Sequence, residues 1–134
     1  MIQRTAIRDA VIAALQSEPS FSDYWIDKFS DDPEEWQEKH LQAKGGSMIV
    51  SYAGTRQDES SESTPGRMGA VHVVVIERSE DAGLEAIDTV EGVTEGLRLS
   101  VNGKPIRMYF AGDNFIGEDN RYYQYEVQLR WELL

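Results

Sequence analysis

No cysteine occurs anywhere in this chain, which removes disulfides, thiolate nucleophiles and any zinc or iron–sulfur centre built on sulfur. Histidine is nearly as scarce. His40 and His72 are the two imidazoles, and neither has the convergent partners that a metal site or general base requires. They read as one helix-surface histidine and one packed among the valines of a central strand. Also missing is any run approaching the ~20 apolar residues of a membrane span. The opening MIQRTAIRDAVIAALQSEP is broken by Arg4, Arg8 and Asp9, where a secretory signal needs an unbroken apolar core. The expected location is a cytoplasm, unless the protein leaves inside a larger particle. Positive charge is in short supply as well: 13 Lys and Arg stand against 24 Asp and Glu, a net charge of −11. Binding to nucleic acid relies on basic residues displacing counterions, so DNA is expected at most as a passenger that an acidic surface does not hold.

Catalytic devices are absent in the same way. Gly45-Gly46 precedes a strand and lacks the Lys-Ser or Lys-Thr of a phosphate loop. The serines of residues 55–66 sit in no strand–turn–helix elbow, and neither histidine has an evident path to them. Asp113-Asn114 with Glu118-Asp119-Asn120 suggests calcium, but Phe115 and Gly117 fall where an EF-hand needs oxygen donors. That segment reads as a solvated turn. A small enzyme would need a buried pair of perturbed carboxylates that the sequence does not reveal. No enzymatic activity, cofactor or metal is expected.

What the chain does have is periodicity. With 134 residues, 40% hydrophobic and 28% charged, it fits one domain with a core of its own. From Arg121 to Leu134 apolar and polar residues alternate without a break. Tyr123, Tyr125, Val127, Leu129, Trp131 and Leu133 fall on one face; Gln124, Glu126, Gln128, Arg130 and Glu132 fall on the other. Only a strand with one dry and one wet face satisfies this pattern. Its length, about twice the usual five to six residues, makes it the expected spine of the fold, running past the core or into a subunit contact. The polar face either meets water or lines the inside of a ring.

Thr5 to Leu15 reads as a first helix, with Ala6, Ile7, Ala10, Val11 and Ala14 on one side. Tyr24-Trp25-Ile26 is either a short strand or a connection. Asp32-Pro33-Glu34-Glu35 is a good helix start, with Trp36, His40 and Leu41 on one side and a stop at Gly45-Gly46. Ser47 to Ala53 reads as a strand. Thr55 to Gly66, TRQDESSESTPG, is too polar to offset the entropy of ordering and is expected as a mobile arm, with Arg56 and Arg67 at its base and Asp58, Glu59 and Glu62 along it. Met68 to Ile76 is a central strand apolar on both faces.

Glu80 to Leu97 is the main helix. Ala86, Ile87, Val90, Val93 and Leu97 form its apolar side, and Asp81, Glu85, Asp88, Glu91 and Glu95 its outer stripe. Like charges at this spacing each cost a few tenths of a kcal/mol. The stripe is either an ordinary solvated face, or one that meets a basic partner or repels polyanion. Arg98–Val101 and Lys104–Phe110 flank Asn102-Gly103, a two-residue hairpin turn, with Pro105 at an edge or bulge, and Ala111 to Asn120 is expected as a second loop. The fold class expected is α+β: a single, mostly antiparallel sheet with helices mainly on one face.

The opening helix MIQRTAIRDAVIAAL, the strand ending Tyr52-Ala53-Gly54, the polar segment before VHVVVIERS, the helix that leads to a Leu-rich segment and the closing YYQYEVQLRW together resemble the small tail-terminator, or tail-completion, proteins of long-tailed phages, Mu-like prophages above all. The likeness is one of length, order and pattern; the helix expected from Asp32 to Ala43 is longer than that family's pattern in this region. The resemblance implies a homohexameric ring that docks on the finished tail tube, stops its polymerisation and joins it to the head connector protein. It also implies a place in the virion tail, assembled in the cytoplasm of a bacterial host. The 55–66 arm would then order against a neighbouring subunit. The alternative reading is a small acidic inhibitor, of the immunity-protein kind, that binds a basic enzyme through the carboxylate stripe.

Overall fold

The computed structural model describes residues 2–29, 45–58, 66–119 and 121–134, together with Asp32, Glu34 and Glu38; of residues 57, 58 and 66 only the backbone is described. Helix α1 (Arg4–Gln16) and a short 3-10 turn (Pro19–Phe21) lead into β1 (Trp25–Lys28). Strands β2 (Ser47–Asp58) and β3 (Gly66–Glu77) follow, then helix α2 (Glu80–Thr94) and strands β4 (Arg98–Val101), β5 (Lys104–Asp119) and β6 (Tyr122–Leu133). All six strands join one sheet in the order β1-β2-β3-β6-β5-β4. Every pairing is antiparallel except β1 with β2. The expected α+β class holds, with the sheet mixed at one edge.

Strand alternation decides where the core lies. Met48 and Val50 of β2, Val71, Val73 and Val75 of β3, Val127, Leu129 and Trp131 of β6, and Ile106 and Met108 of β5 are almost fully buried on one face. Helices α1 and α2 pack there. Helix α1 contributes Ile7, Val11, Ile12 and Leu15, and α2 contributes Ala86, Ile87 and Val90. At about 25 cal/mol per Å² of apolar surface, this one-sided layer is the main favourable term in folding. The opposite face is open to solvent over much of its area; Met68, Ala70 and Val74 there are half-buried, while Ile49 and Ile76 are buried.

Strand β6 is the spine, paired along its length with β3 on one side and β5 on the other. Alternation also corrects the reading of His72: its neighbours Val71 and Val73 point into the core, so it points out, with Nδ1 3.8 Å from Glu126 Oε2.

The expected turn at Asn102-Gly103 is present, with φ of 52° and 75°, the left-handed values such a turn demands. The Asn102 carboxamide oxygen also accepts from the Gln3 backbone N–H at 3.0 Å, tying the hairpin to the start of α1, which has no side-chain cap of its own.

Three boundaries differ from expectation. Thr55 to Asp58 and Gly66 to Arg67 are paired strand rather than loop; residues 59–65 of the expected arm lie outside the described residues. Ala111 to Asp119 is likewise strand, because bulges between Phe110 and Gly112 and between Phe115 and Gly117 absorb one residue each and let β5 stay paired with β6. Helix α2 stops at Thr94, where Gly96 (φ 74°) turns the chain and the Gly96 N–H donates to Met108 O at 2.9 Å. The helix expected after Asp32 lies outside the described residues apart from Asp32, Glu34 and Glu38; there the Glu34 N–H donates to Asp32 Oδ1 at 3.0 Å.

Candidate functional site

The residues singled out from sequence do not form one site. On α2, Asp81, Glu85, Asp88 and Glu91 are exposed on the side away from the core. Glu95 leaves this group: it is the C-cap residue, and its Oε2 accepts the Phe110 backbone N–H at 2.7 Å, beside the first bulge of β5. Leu84 interrupts the stripe and is 43% exposed. At the stripe's N-terminal end Phe115 packs against Tyr125, ring centroids 5.3 Å apart. Burial first, then the charges of Glu80 and Asp81, push the Tyr125 hydroxyl pKa up.

Arg56 and Arg67 part company. Arg56 pairs with Met68 in β3, on the open face, whereas Arg67 pairs with Gln57, one step along, and so belongs to the other face. Asp58 lies opposite Gly66 at the end of the pairing. Glu59 and Glu62 lie outside the described residues.

Gln124, Glu126, Gln128, Arg130 and Glu132 do share the open face, as expected. Gln128 Nε2 donates to Glu126 Oε1 at 3.2 Å. The register brings residues that are far apart in the chain beside them. One row across the sheet runs Arg98, Arg107, Glu132, Met68, Arg56, and the next contains Tyr109, Arg130 and Ala70. Four arginines from four strands thus meet at one end of a face in an acidic protein. The Tyr109 hydroxyl donates to Glu132 Oε1, and this bond is the first reason its pKa is raised. Arg107 lies over the Tyr109 ring, 5.1 Å from its centroid, and its Nε is enclosed without a hydrogen-bond partner. None of the four arginines makes an ion pair among the described residues. Two of the four, Arg56 and Arg130, line a trough of about 680 Å³ together with Met68, Ala70, Ala111 and Tyr109, and Arg98 and Arg107 lie outside it along the same row as Arg56.

Among the described residues no group of three or more His, Asp or Glu side chains is placed to hold a metal ion, and no helix is long and apolar enough to cross a membrane.

No protein-family model matches this chain. No curated protein matches it either. Solved structures do. A chain of the native gene transfer agent particle virion superposes with a TM-score of 0.67 at 14% identity, over 96% of this chain and 95% of its own. A second solved chain, 11% identical, superposes with a TM-score of 0.60 over 98% of this chain and 92% of its own. Identities this low establish a common fold. In both, that fold accounts for nearly the whole of the matched chain.

Proposed function

We propose that this protein is a structural component of a phage-like virion, a tail terminator that caps the tail tube as a homohexameric ring and does no chemistry. The observation that carries the reading is the end-to-end likeness of fold to a chain of a gene transfer agent virion, 96% of one covering 95% of the other. Pattern and order along the chain resemble tail terminators independently of that likeness.

The physical task is adhesive and steric. One face of the ring copies the contact that an incoming tube subunit expects, and the other face does not propagate it and meets the head connector protein. DNA passes through without being held, which suits a net charge of −11. Assembly takes place in the bacterial host cytoplasm, on the tail.

Removing the gene from its particle tests this reading by electron microscopy. Overlong tubes without heads are the expected product; tails of normal length, joined to heads, would overturn the proposal. Native mass spectrometry and negative-stain imaging of the purified chain, alone and with isolated tubes, then look for six-fold rings. The exposure of Asp81, Glu85, Asp88 and Glu91 favours one second reading, an inhibitor of a basic protein, which predicts a one-to-one complex and no ring.

A further inference from the structure

The four arginines of the open face and the carboxylates of α2 are on opposite sides of the molecule, since α2 covers the core face of the sheet. A single copy cannot bring them together. Two copies can. We propose that the arginine trough of one copy receives the acidic outer face of α2 from a second copy, joining subunits head to tail. The proposal rests on the ring reading above and names the surfaces that would build the ring.

Dimensions agree. Asp81 to Glu91 spans about 15 Å along a helix at ~1.5 Å per residue. Arg98 to Arg56 is four strand spacings, about 19 Å at ~4.8 Å each, with Arg130 inside that span. The chemistry agrees as well. A guanidinium offers two parallel N–H groups to one carboxylate. Within this row Glu132 accepts the Tyr109 hydroxyl and brings one negative charge against four arginines, which leaves a surplus of positive charge. Each of the two surfaces carries apolar groups for the centre of such an interface: Leu84 within the stripe and Phe115 at its end, 43% and 55% exposed, on one, and Met68 and Ala70 on the other.

A phosphate backbone is a poorer occupant. The four arginines are a minority of 37 charged side chains with a net charge of −11, and the long-range field repels polyanion before the patch is reached. The stripe, by contrast, is carried by every copy. Contacts between two different patches of identical subunits close into rings when the rotation per step allows.

Charge reversal tests this on the full-length chain, with self-association measured by sedimentation and by native mass spectrometry, and folding checked by circular dichroism. R56E/R130E and E85K/D88K alter exposed positions, and each is expected to weaken association by roughly tenfold or more. The chain carrying all four changes is expected to regain it, because the two reversed surfaces again attract. Rings that survive each reversal unchanged would overturn the arginine–carboxylate contact and leave the terminator reading standing. A wild-type chain that stays monomeric both alone and on isolated tail tubes would overturn the ring and this contact together. Retention of a DNA duplex through Arg56 and Arg130 without self-association would assign the trough to phosphate and overturn the proposal.

Discussion

The indole N–H of Trp131 in β6 donates to the hydroxyl of Tyr52 in β2 at 3.3 Å, although β3 runs between the two strands. Gly69 makes this reach possible. A Cβ at that position would lie 2.5 Å from Trp131 Nε1, 2.6 Å from the Tyr52 hydroxyl and 2.5 Å from the Gly54 carbonyl oxygen. Tyr52 also shares a 2.6 Å hydrogen bond with Thr55 Oγ1, so neither ring has an easy retreat. Gly69→Ala is expected to destabilise by about 1–3 kcal/mol, the range for overpacking, measured by urea or thermal unfolding. A neutral result would show that the three strands move apart at little expense.

The hydroxyl of Tyr24 donates to Glu77 Oε2, while Glu77 Oε1 accepts the Arg78 backbone N–H at 2.9 Å. Burial first, then the hydrogen bond and charge of Glu77, push the tyrosine's pKa well above its ordinary value near 10. The folded pKa lies above the unfolded one, so this stability is fully present below about pH 10 and is lost as pH rises beyond it. Tyr24→Phe should cost about 1 kcal/mol at neutral pH. The gap between wild type and variant should shrink above pH ~10, the unfolded-state value. Unfolding titrations at neutral and at strongly alkaline pH check both statements, and a gap that widens in alkali would contradict the assignment.

Asn102 performs two tasks that substitution separates. Its left-handed backbone makes the β4–β5 turn, and its side chain holds the Gln3 N–H. Asn102→Gly keeps the turn and loses only the tie, an expected loss of about 0.5–1 kcal/mol. Asn102→Ala loses the tie and adds the ~1–2 kcal/mol a side chain pays in the left-handed region. The ranking wild type, Gly, Ala in denaturant midpoint is the expected outcome. Equal stability of the two variants would mean that the turn does not need its positive φ.

Ser79 caps α2, its Oγ accepting the Ala82 N–H at 3.1 Å, with Glu80 and Asp81 in the first turn. Ser79→Ala is expected to lose about 1 kcal/mol. Ser79→Asp should retain most of the capping energy, since a carboxylate fills the same role near the positive end of the helix dipole. Thermal melts of the three proteins distinguish them.

Regular periodicity carried the sequence-based reading as far as it could go. Strand β6 alternates through all its residues and α2 keeps its apolar side over four turns, so both elements and the carboxylate stripe were legible from local spacing alone. The continuation of β5 was not, because its bulges shift the alternation and its glycines and short polar residues from Gly112 to Gly117 are the ones that turns also use. The arginine trough was invisible for a different reason. Arg56, Arg98, Arg107 and Arg130 are scattered along the chain, and only the pairing register of five strands sets them side by side. Local pattern fixes which face a residue takes, while strand order decides its company.

The bulges at Ala111 and Ile116 bear on how such a strand can change length. In a regular ladder, losing one residue exchanges the two faces of everything beyond it. At a bulge the extra residue is already unpaired. Deleting Ala111 would bring Phe110 next to Gly112 with each still opposite its present partner, Leu129 or Gln128. Strand β5 thus has two positions where its lineage can lose a residue and keep every side chain on its own side of the sheet.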